Sequence, residues 1–321
     1  MFASRVQEKV SWAAKMSLTR KNRRELSKKR RGLACLTVAI LVASAVVGQE
    51  ATIRVAPAAR EVVEGRLKKY EGDNAQRERT LMGLFQEAGC EGKNLFEQAV
   101  NRGPLPNVIC TLPGSSERTI LVGAHYEHFG AGNGVVDNWS GASLLVSLYQ
   151  ALNKEPRRHS YAFVGFADGE LHLTGSRFYV EQMTEVQKDQ MDAMVDMDVI
   201  GLAPAEYWRS YADRRLVGKL TYLADQLKLP VSAVDVEALG SSDSSEFGAL
   251  NIPSITIHSL SQKTWDAHIL HTRKDKISEI HLDDYYQTYR LVAAYLAFLD
   301  YSTFRRQPVE RKSLHKNEGR K

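Results

Sequence analysis

The chain has 321 residues, 43% of them hydrophobic and 25% charged, with a formal net charge of +5. That length and a middle dense in apolar patterns suit one large α/β domain with flanking tails rather than two domains. The charge is uneven: residues 1–32 hold 11 Lys/Arg against 2 Glu and residues 305–321 hold 7 against 2, leaving −9 for the body between them. A nucleic-acid binder carries its basic face on the folded domain; here the basicity lies in tails of solvated composition, so nucleic acid is not an expected partner, and the acidic body suits a cation.

In chain order, Lys28-Lys-Arg-Arg31 precedes the apolar run Leu33 to Val47, which contains Ala43-Ser-Ala45. A basic region, a short apolar run and an A-x-A site describe a secretory signal peptide, so an exported protein, periplasmic or secreted, is expected. An uncleaved anchor attaching the chain to a membrane through residues 33–47 is the alternative, although the run is at the short limit for a spanning helix. Met16 would give a more usual basic region than Met1. The domain plan is a leader over 1–48, a folded domain over 49–304 and a basic tail over 305–321. Outside the leader only Cys90 and Cys110 remain. They lack the C-x-x-C spacing of zinc ligands, and export permits a disulfide between them, with two buried free thiols as the alternative.

Ala59 to Ala88 is charged, with apolar Val62, Val63, Leu67, Leu81, Leu84 and Phe85, and predicts one or two amphipathic helices. Asn107–Leu112 predicts a strand before the turn Pro113-Gly114, and Thr119–His125 its hairpin partner. A helix is expected from Ser140, a strand over Tyr161–Phe166, a helix near Gly175–Met183 and a strand over Ala193–Ile200. A short strand at Tyr207–Tyr211, a helix at Arg214–Leu227 and the strand Ser254–His258 follow. A last helix starts at Asp283, taken as its N-cap, with Tyr285, Tyr289, Val292, Leu296 and Leu299 at helical spacing. Alternating strands and helices imply an α/β fold with a mostly parallel central sheet and helices on both faces.

Five polar residues fall where strands end or loops begin: His125, Asp137, Glu170, Asp198 and His271. Singly each has a plain alternative: a hydrogen-bonded strand-end histidine for His125, a helix cap for Asp137. Asp198 is harder to dismiss, because an unpaired carboxylate in a hydrophobic strand is costly. Together, two imidazoles and three carboxylates suit zinc, and five ligands can hold two ions if one carboxylate bridges them. Such centres support hydrolysis.

The pieces Leu121-Val-Gly-Ala-His-Tyr126, Val136-Asp-Asn-Trp-Ser-Gly-Ala142, Phe166-Ala-Asp-Gly-Glu-Leu-His-Leu-Thr-Gly-Ser176, Val195-Asp-Met-Asp-Val-Ile-Gly201, Ser241-Ser-Asp-Ser244 with Phe247, Ile252-Pro253 and His271-Thr-Arg-Lys-Asp275 occur in one order over roughly Asn107 to Leu299. In that order they resemble the M28 family of zinc-dependent exopeptidases, of the aminopeptidase Y and bacterial leucyl aminopeptidase type. The resemblance implies a peptidase domain acting on the N-termini of peptides or proteins. It implies His125 and Asp198 on one zinc, Glu170 and His271 on the other, and Asp137 bridging. Asn138 to Ser140 would shape the turn that presents Asp137, and Thr272 to Asp275 would lie by the substrate cleft.

Two positions depart from the family pattern. His-x-Asp is replaced by His125-Tyr-Glu127, and a displaced orienting partner commonly lowers metal affinity or activity about 10–100-fold. The family's Glu-Glu pair, general base then ligand, is replaced by Gly169-Glu170. Without a gap Gly169 takes the base position and Glu170 remains the ligand; a one-residue gap would make Glu170 the base and put Leu171 at the ligand position. Either way one carboxylate is missing, so impaired turnover is expected, with Asp168 as the nearest substitute base. A gain of activity in Gly169→Glu would bear out the lost-base argument. The expected function is therefore an exported zinc aminopeptidase. A catalytically inactive relative that binds metal or peptide, and a one-zinc glutaminyl-peptide cyclotransferase, are the alternatives.

Overall fold

The computed structural model describes residues 38–42, 51–101, 103–170, 172–235 and 241–302. The basic segments at both ends, and all of the apolar run 33–47 except 38–42, lie outside them. Strand β1 (Val38–Val42) pairs antiparallel with β2 (Ala51–Val55), and β2 packs on the helix Leu282–Tyr301. Among the described residues no helix is long and apolar enough to cross a membrane.

Two helices follow, α1 (Arg60–Leu67) and α2 (Asn74–Glu87), the second started by the Asp73 carboxylate accepting from Gln76 N–H at 2.7 Å. Then come β3 (Leu95–Gln98), β4 (Asn107–Leu112), β5 (Thr119–His125), α3 (Ser140–Leu152) and β6 (Ser160–Phe166). Next are α4 (Thr174–Gln182), α5 (Glu185–Gln190), β7 (Met191–Met197), β8 (Glu206–Trp208), α6 (Arg214–Leu227) and β9 (Ser232–Val234). The remaining elements are α7 (Asp243–Gly248), β10 (Ser254–His258), α8 (Gln262–Asp266) and α9 (Leu282–Tyr301).

The eight-stranded sheet runs β3-β4-β6-β5-β7-β10-β8-β9. Its centre, β6-β5-β7-β10, is parallel; β3, β4 and β6 pair antiparallel, as do β10 and β8. The central strands read as continuous apolar runs because both faces are covered. Ile120, Val122, Tyr161, Phe163, Ala193 and Val195 enter the larger core, shared with α1, α2, α3, α6 and α9. Their neighbours Leu121, Ala162, Val164 and Met194 enter a smaller core with Val180 of α4 and Phe247 of α7. The side chains thus alternate between faces at the period of two that a strand imposes.

Three expectations need correction. β5 is not the hairpin partner of β4: it lies between β6 and β7, parallel to both, while β4 pairs with β3 and β6. Burial of β5 on both faces requires that central place. β7 ends at Met197, so Asp198 stands just past the strand rather than within it. Asp283 does not cap α9: His281 holds the cap position, and Asp283 sits in the first turn, paired with Arg60 at 2.5 Å. Cys90 and Cys110 form a disulfide that joins the end of α2 to β4, with Cα atoms 6.3 Å apart.

Candidate active site

β5 and β7 are in register at Gly123 and Asp196, so the next same-face step brings His125 level with Asp198 at the carboxyl edge of the sheet. His125 Nε2 is 3.4 Å from Asp137 Oδ1 and 3.6 Å from Asp198 Oδ1. The other oxygen of Asp137, Oδ2, is 3.1 Å from His271 Nε2, which is also 2.8 Å from Glu170 Oε1. One donor atom each of His125, Asp137 and Glu170 lie within 4.8 Å of one another. The five residues singled out in the sequence therefore meet at one place, with Asp137 at its centre and one of its oxygens toward each imidazole.

Local chemistry explains how the chain gets there. Asp137 precedes α3 and is joined to Asn138 by a cis peptide bond. Asn138 donates from Nδ2 to the Met197 carbonyl at 2.9 Å, and its Oδ1 accepts from Gly141 and Val199 N–H at 3.0 and 3.1 Å. Ser140 Oγ donates to the Val136 carbonyl and accepts from Ile200 N–H. These two side chains fasten the Asp137 turn to the segment that carries Asp198. From the opposite side Asp275 accepts from the backbone N–H groups of Val135, Val136 and Asp137 at 2.8, 2.8 and 3.2 Å. The loop bearing Asp275 also bears His271, and it lies against the glycine-rich segment 130–134. At Gly132, whose φ is +106°, a Cβ would come within 2.3 Å of the Thr272 carbonyl, so only glycine permits this approach.

The electrostatics follow from so many carboxylates in a small, buried volume. Burial alone would lower the pKa of His125, but the carboxylates of Glu127, Asp137 and Asp198 outweigh it and push the imidazole well up. Asp137 and Glu170 hold the His271 imidazole up to about 10. Burial would raise Asp137, yet the two imidazoles keep it well below the carboxylate range. Nearby, burial together with Asp243 and Asp198 pushes Asp196 far up, and burial raises Asp243, on the cavity wall, to about 7. Buried oxygens of Glu127, Asp196, Asp198 and Asp243 have no hydrogen-bond partner among the described residues. Such a site calls for concentrated positive charge.

A family model for Peptidase family M28 matches residues 107–296. The chain belongs to peptidase family M28. It is 25% identical to Aminopeptidase YwaD of Bacillus subtilis over 181 residues, covering 54% of this chain and 40% of that protein. With Leupeptin-inactivating enzyme 1 of Streptomyces exfoliatus it shares 26% identity over 178 residues, covering 54% and 37%. The chain thus spans about two-fifths of the length of these relatives. The fold resembles the Legionella pneumophila LapA aminopeptidase (TM-score 0.66, 19% identity, 75% of this chain and 72% of that one). It also resembles Porphyromonas gingivalis glutaminyl cyclase (TM-score 0.61, 19% identity, 75% and 96%).

Within this M28 chain the two departures have definite geometry. Glu127 Oε1 is 3.5 Å from His125 Nδ1 and accepts from the Glu170 N–H at 2.9 Å. The longer side chain thus still faces the imidazole and also fastens the backbone of Glu170. The Glu170 side chain meets His271 and lies near Asp137, as the ungapped register expects, and in that register Gly169 takes the other position. A Cβ at Gly169 would lie 2.7 Å from Cβ and 2.8 Å from Cγ of His125, so a side chain there does not fit without moving the ring. A glutamate at this position would therefore have to displace the His125 ring before it could serve as a base. Asp168 does not line the cavity, and its buried carboxylate lies beside Gly103. His128 is held through its backbone by Asn74 and packs on Gly134, away from the cavity.

Two groups of residues escaped the sequence reading. Arg77 of α2, 1% exposed, donates to the carbonyls of Tyr126, Asn133 and Gly134 and so holds the loop between His125 and Asp137 from behind. Burial lowers its pKa to about 10. A lone arginine in a charged helix gives no sequence signal of this role. The cavity beside the centre, about 380 Å³, is walled by Trp208, His258, Trp265 and Ile269 among others. Of residues 207–239, Trp208 alone among the described ones lines it. The rest comes from loops that only the fold assembles.

Proposed function

We propose that this chain is an exported zinc exopeptidase of the aminopeptidase kind that holds two zinc ions and turns over slowly. The observation that carries the reading is the placement of the two Asp137 oxygens, one facing His125 and the other His271. Two imidazoles and three carboxylates fit zinc, and the unpartnered carboxylate oxygens around them fit a site built for divalent charge. His125 and Asp198 would hold one ion, Glu170 and His271 the other, and Asp137 both. Bound zinc supplies a water of lowered pKa and polarisation of the scissile carbonyl.

The chain's own residues do the rest. Glu127 keeps the His125 ring in its orientation and anchors Glu170. Asp275 and Arg77 hold the Asp137 loop rigid. The cavity next to the centre seats the first side chain of a peptide. A carboxylate that accepts the water's proton normally accompanies such a centre, and Gly169 offers none, which is why slow turnover belongs to the reading. Export is supported by the basic and apolar leader and by the Cys90–Cys110 disulfide.

Gly169 favours one second reading, a metal-holding relative without catalysis. Zinc analysis and hydrolysis of aminoacyl-anilides by the mature chain separate the two. Two zincs with slow hydrolysis support the enzyme; two zincs with no hydrolysis support the inactive relative. Absence of zinc rejects the ligand set, and cyclisation of an N-terminal glutamine peptide would support a cyclotransferase instead.

A further inference from the structure

We propose that Phe129 is the recognition surface for the second residue of a peptide substrate, and that it selects a large apolar or aromatic side chain there. The proposal rests on the exopeptidase reading above and names the substrate class of that same site.

Phe129 is 58% exposed. Single exposed apolar residues are ordinary, so exposure alone says nothing. Its position says more. The Phe129 ring stands edge to face with the His271 imidazole, the centroids 6.0 Å apart at 88°. The His271 side chain is itself 45% exposed, so the two rings stand together on the solvent side of the centre. The backbone that carries Phe129 is anchored on both flanks. On one, His128 exchanges two backbone hydrogen bonds with the Asn74 side chain, at 3.0 and 3.2 Å. On the other, Ala131 N–H donates to the His271 carbonyl at 3.2 Å and Asn133 N–H to the Asp275 carbonyl at 2.7 Å. Gly130, φ +80°, lies so close that a Cβ would come within 2.7 Å of the His271 carbonyl. These anchors hold an apolar ring beside a candidate metal ligand, facing water.

The first side chain of a peptide enters the cavity, whose walls include Ile269, Leu270 and Thr272 around His271 but not Phe129. The rest of the peptide has to leave by the open side, where His271 is exposed. Successive Cα atoms are about 3.8 Å apart, so a ring 6.0 Å from the His271 ring is within reach of the second side chain. Residues 130–134 add only Ala131, Asn133 and glycines, so Phe129 is the one large side chain this loop presents there. A ring open to water gains from contact with apolar area, and gains more from a second aromatic through offset or edge-to-face packing. A glycine in second place leaves the ring uncovered. A carboxylate would meet the negative face of the ring beside an acidic centre.

Calorimetric titration of the zinc-loaded full chain tests this without depending on turnover. The probes are the phosphinic analogues of Leu-Phe and Leu-Gly, and leucine hydroxamate, which has no second residue. The Leu-Phe analogue should bind about ten-fold more tightly than the Leu-Gly analogue, as expected for covering one aromatic ring with another. Phe129→Ala should bring that ratio toward one by weakening the Leu-Phe analogue, and Phe129→Trp should keep it. Equal binding of the two analogues to the wild type, or an unchanged ratio in Phe129→Ala, overturns the proposal and leaves the exopeptidase reading standing. So does a loss shared in equal measure by leucine hydroxamate, which would make Phe129 a support for His271 alone. Lack of bound zinc, or binding of none of the three probes, removes that reading and this one together. Should Phe129→Ala fail to fold, the wild-type ratio still decides.

Discussion

At the residue scale, two single positions govern what the centre can do. Gly169 lies so close to His125 that even a methyl group would press on the ring. Gly169→Ala, and more so Gly169→Glu, is expected to displace His125 and weaken zinc binding rather than restore hydrolysis. Chelator competition checks this, and a Gly169→Glu variant with full zinc content and faster anilide hydrolysis would contradict it. Glu127 couples two candidate ligands, since one oxygen faces the His125 ring and accepts from Glu170 N–H. Glu127→Ala should lower zinc affinity about 10–100-fold, the usual effect of removing an orienting partner; unchanged affinity would assign Glu127 a packing role only. The residue types of the centre were legible because imidazoles and carboxylates at strand ends are costly to bury unpaired. Asp168 has a left-handed backbone, φ +50°, and its carboxylate lies toward Gly103. No spacing rule reveals that.

The elements around the centre divide into those read from pattern and those fixed by contact. The helices α3, α6 and α9 and the strands β4 and β10 follow from apolar periodicity, because their buried faces recur at the period of their own geometry. Short pieces such as β3, β9 and α8 carry too few residues for a period and are held by neighbours. The Cys90–Cys110 disulfide ties α2 to this framework across a separation of 20 residues. Since α2 also carries Arg77 under the Asp137 loop, the disulfide belongs to the support of the centre. Replacing both cysteines by alanine is expected to cost roughly 3 kcal/mol, as for loops of this size. Urea unfolding of the oxidised wild type and the double variant measures it, and equal midpoints would contradict it.

For the whole molecule, a second buried cluster of charged groups stands at the other end of the sheet. Opposite the metal centre, the buried His159 bridges Asp192, 3.0 Å from Nε2, and Asp300 of α9, 3.1 Å from Nδ1, while Arg118 pairs with Asp192. Despite the opposing effect of burial, Asp192 and Asp300 raise His159 to about 9. Because this folded value lies above the ordinary histidine value of about 6.5, the stabilisation is complete below about 6.5 and is lost as pH rises through about 9. The two aspartates are held below their usual range, so their share is lost at the acid end instead. The stability gap between the zinc-loaded wild type and His159→Gln should therefore be large at pH 6 and shrink by pH 9.5 in urea titrations; a constant gap would exclude the charged network. The sequence by itself determined the alternation of strands and helices and singled out the five candidate residues of the centre, because burial period and ligand chemistry are written locally. Only the tertiary structure decided that β5 lies between β6 and β7, that Gly169 abuts His125, and which walls close the cavity. Those facts depend on strand order and loop approach, which bring together residues that share no local pattern.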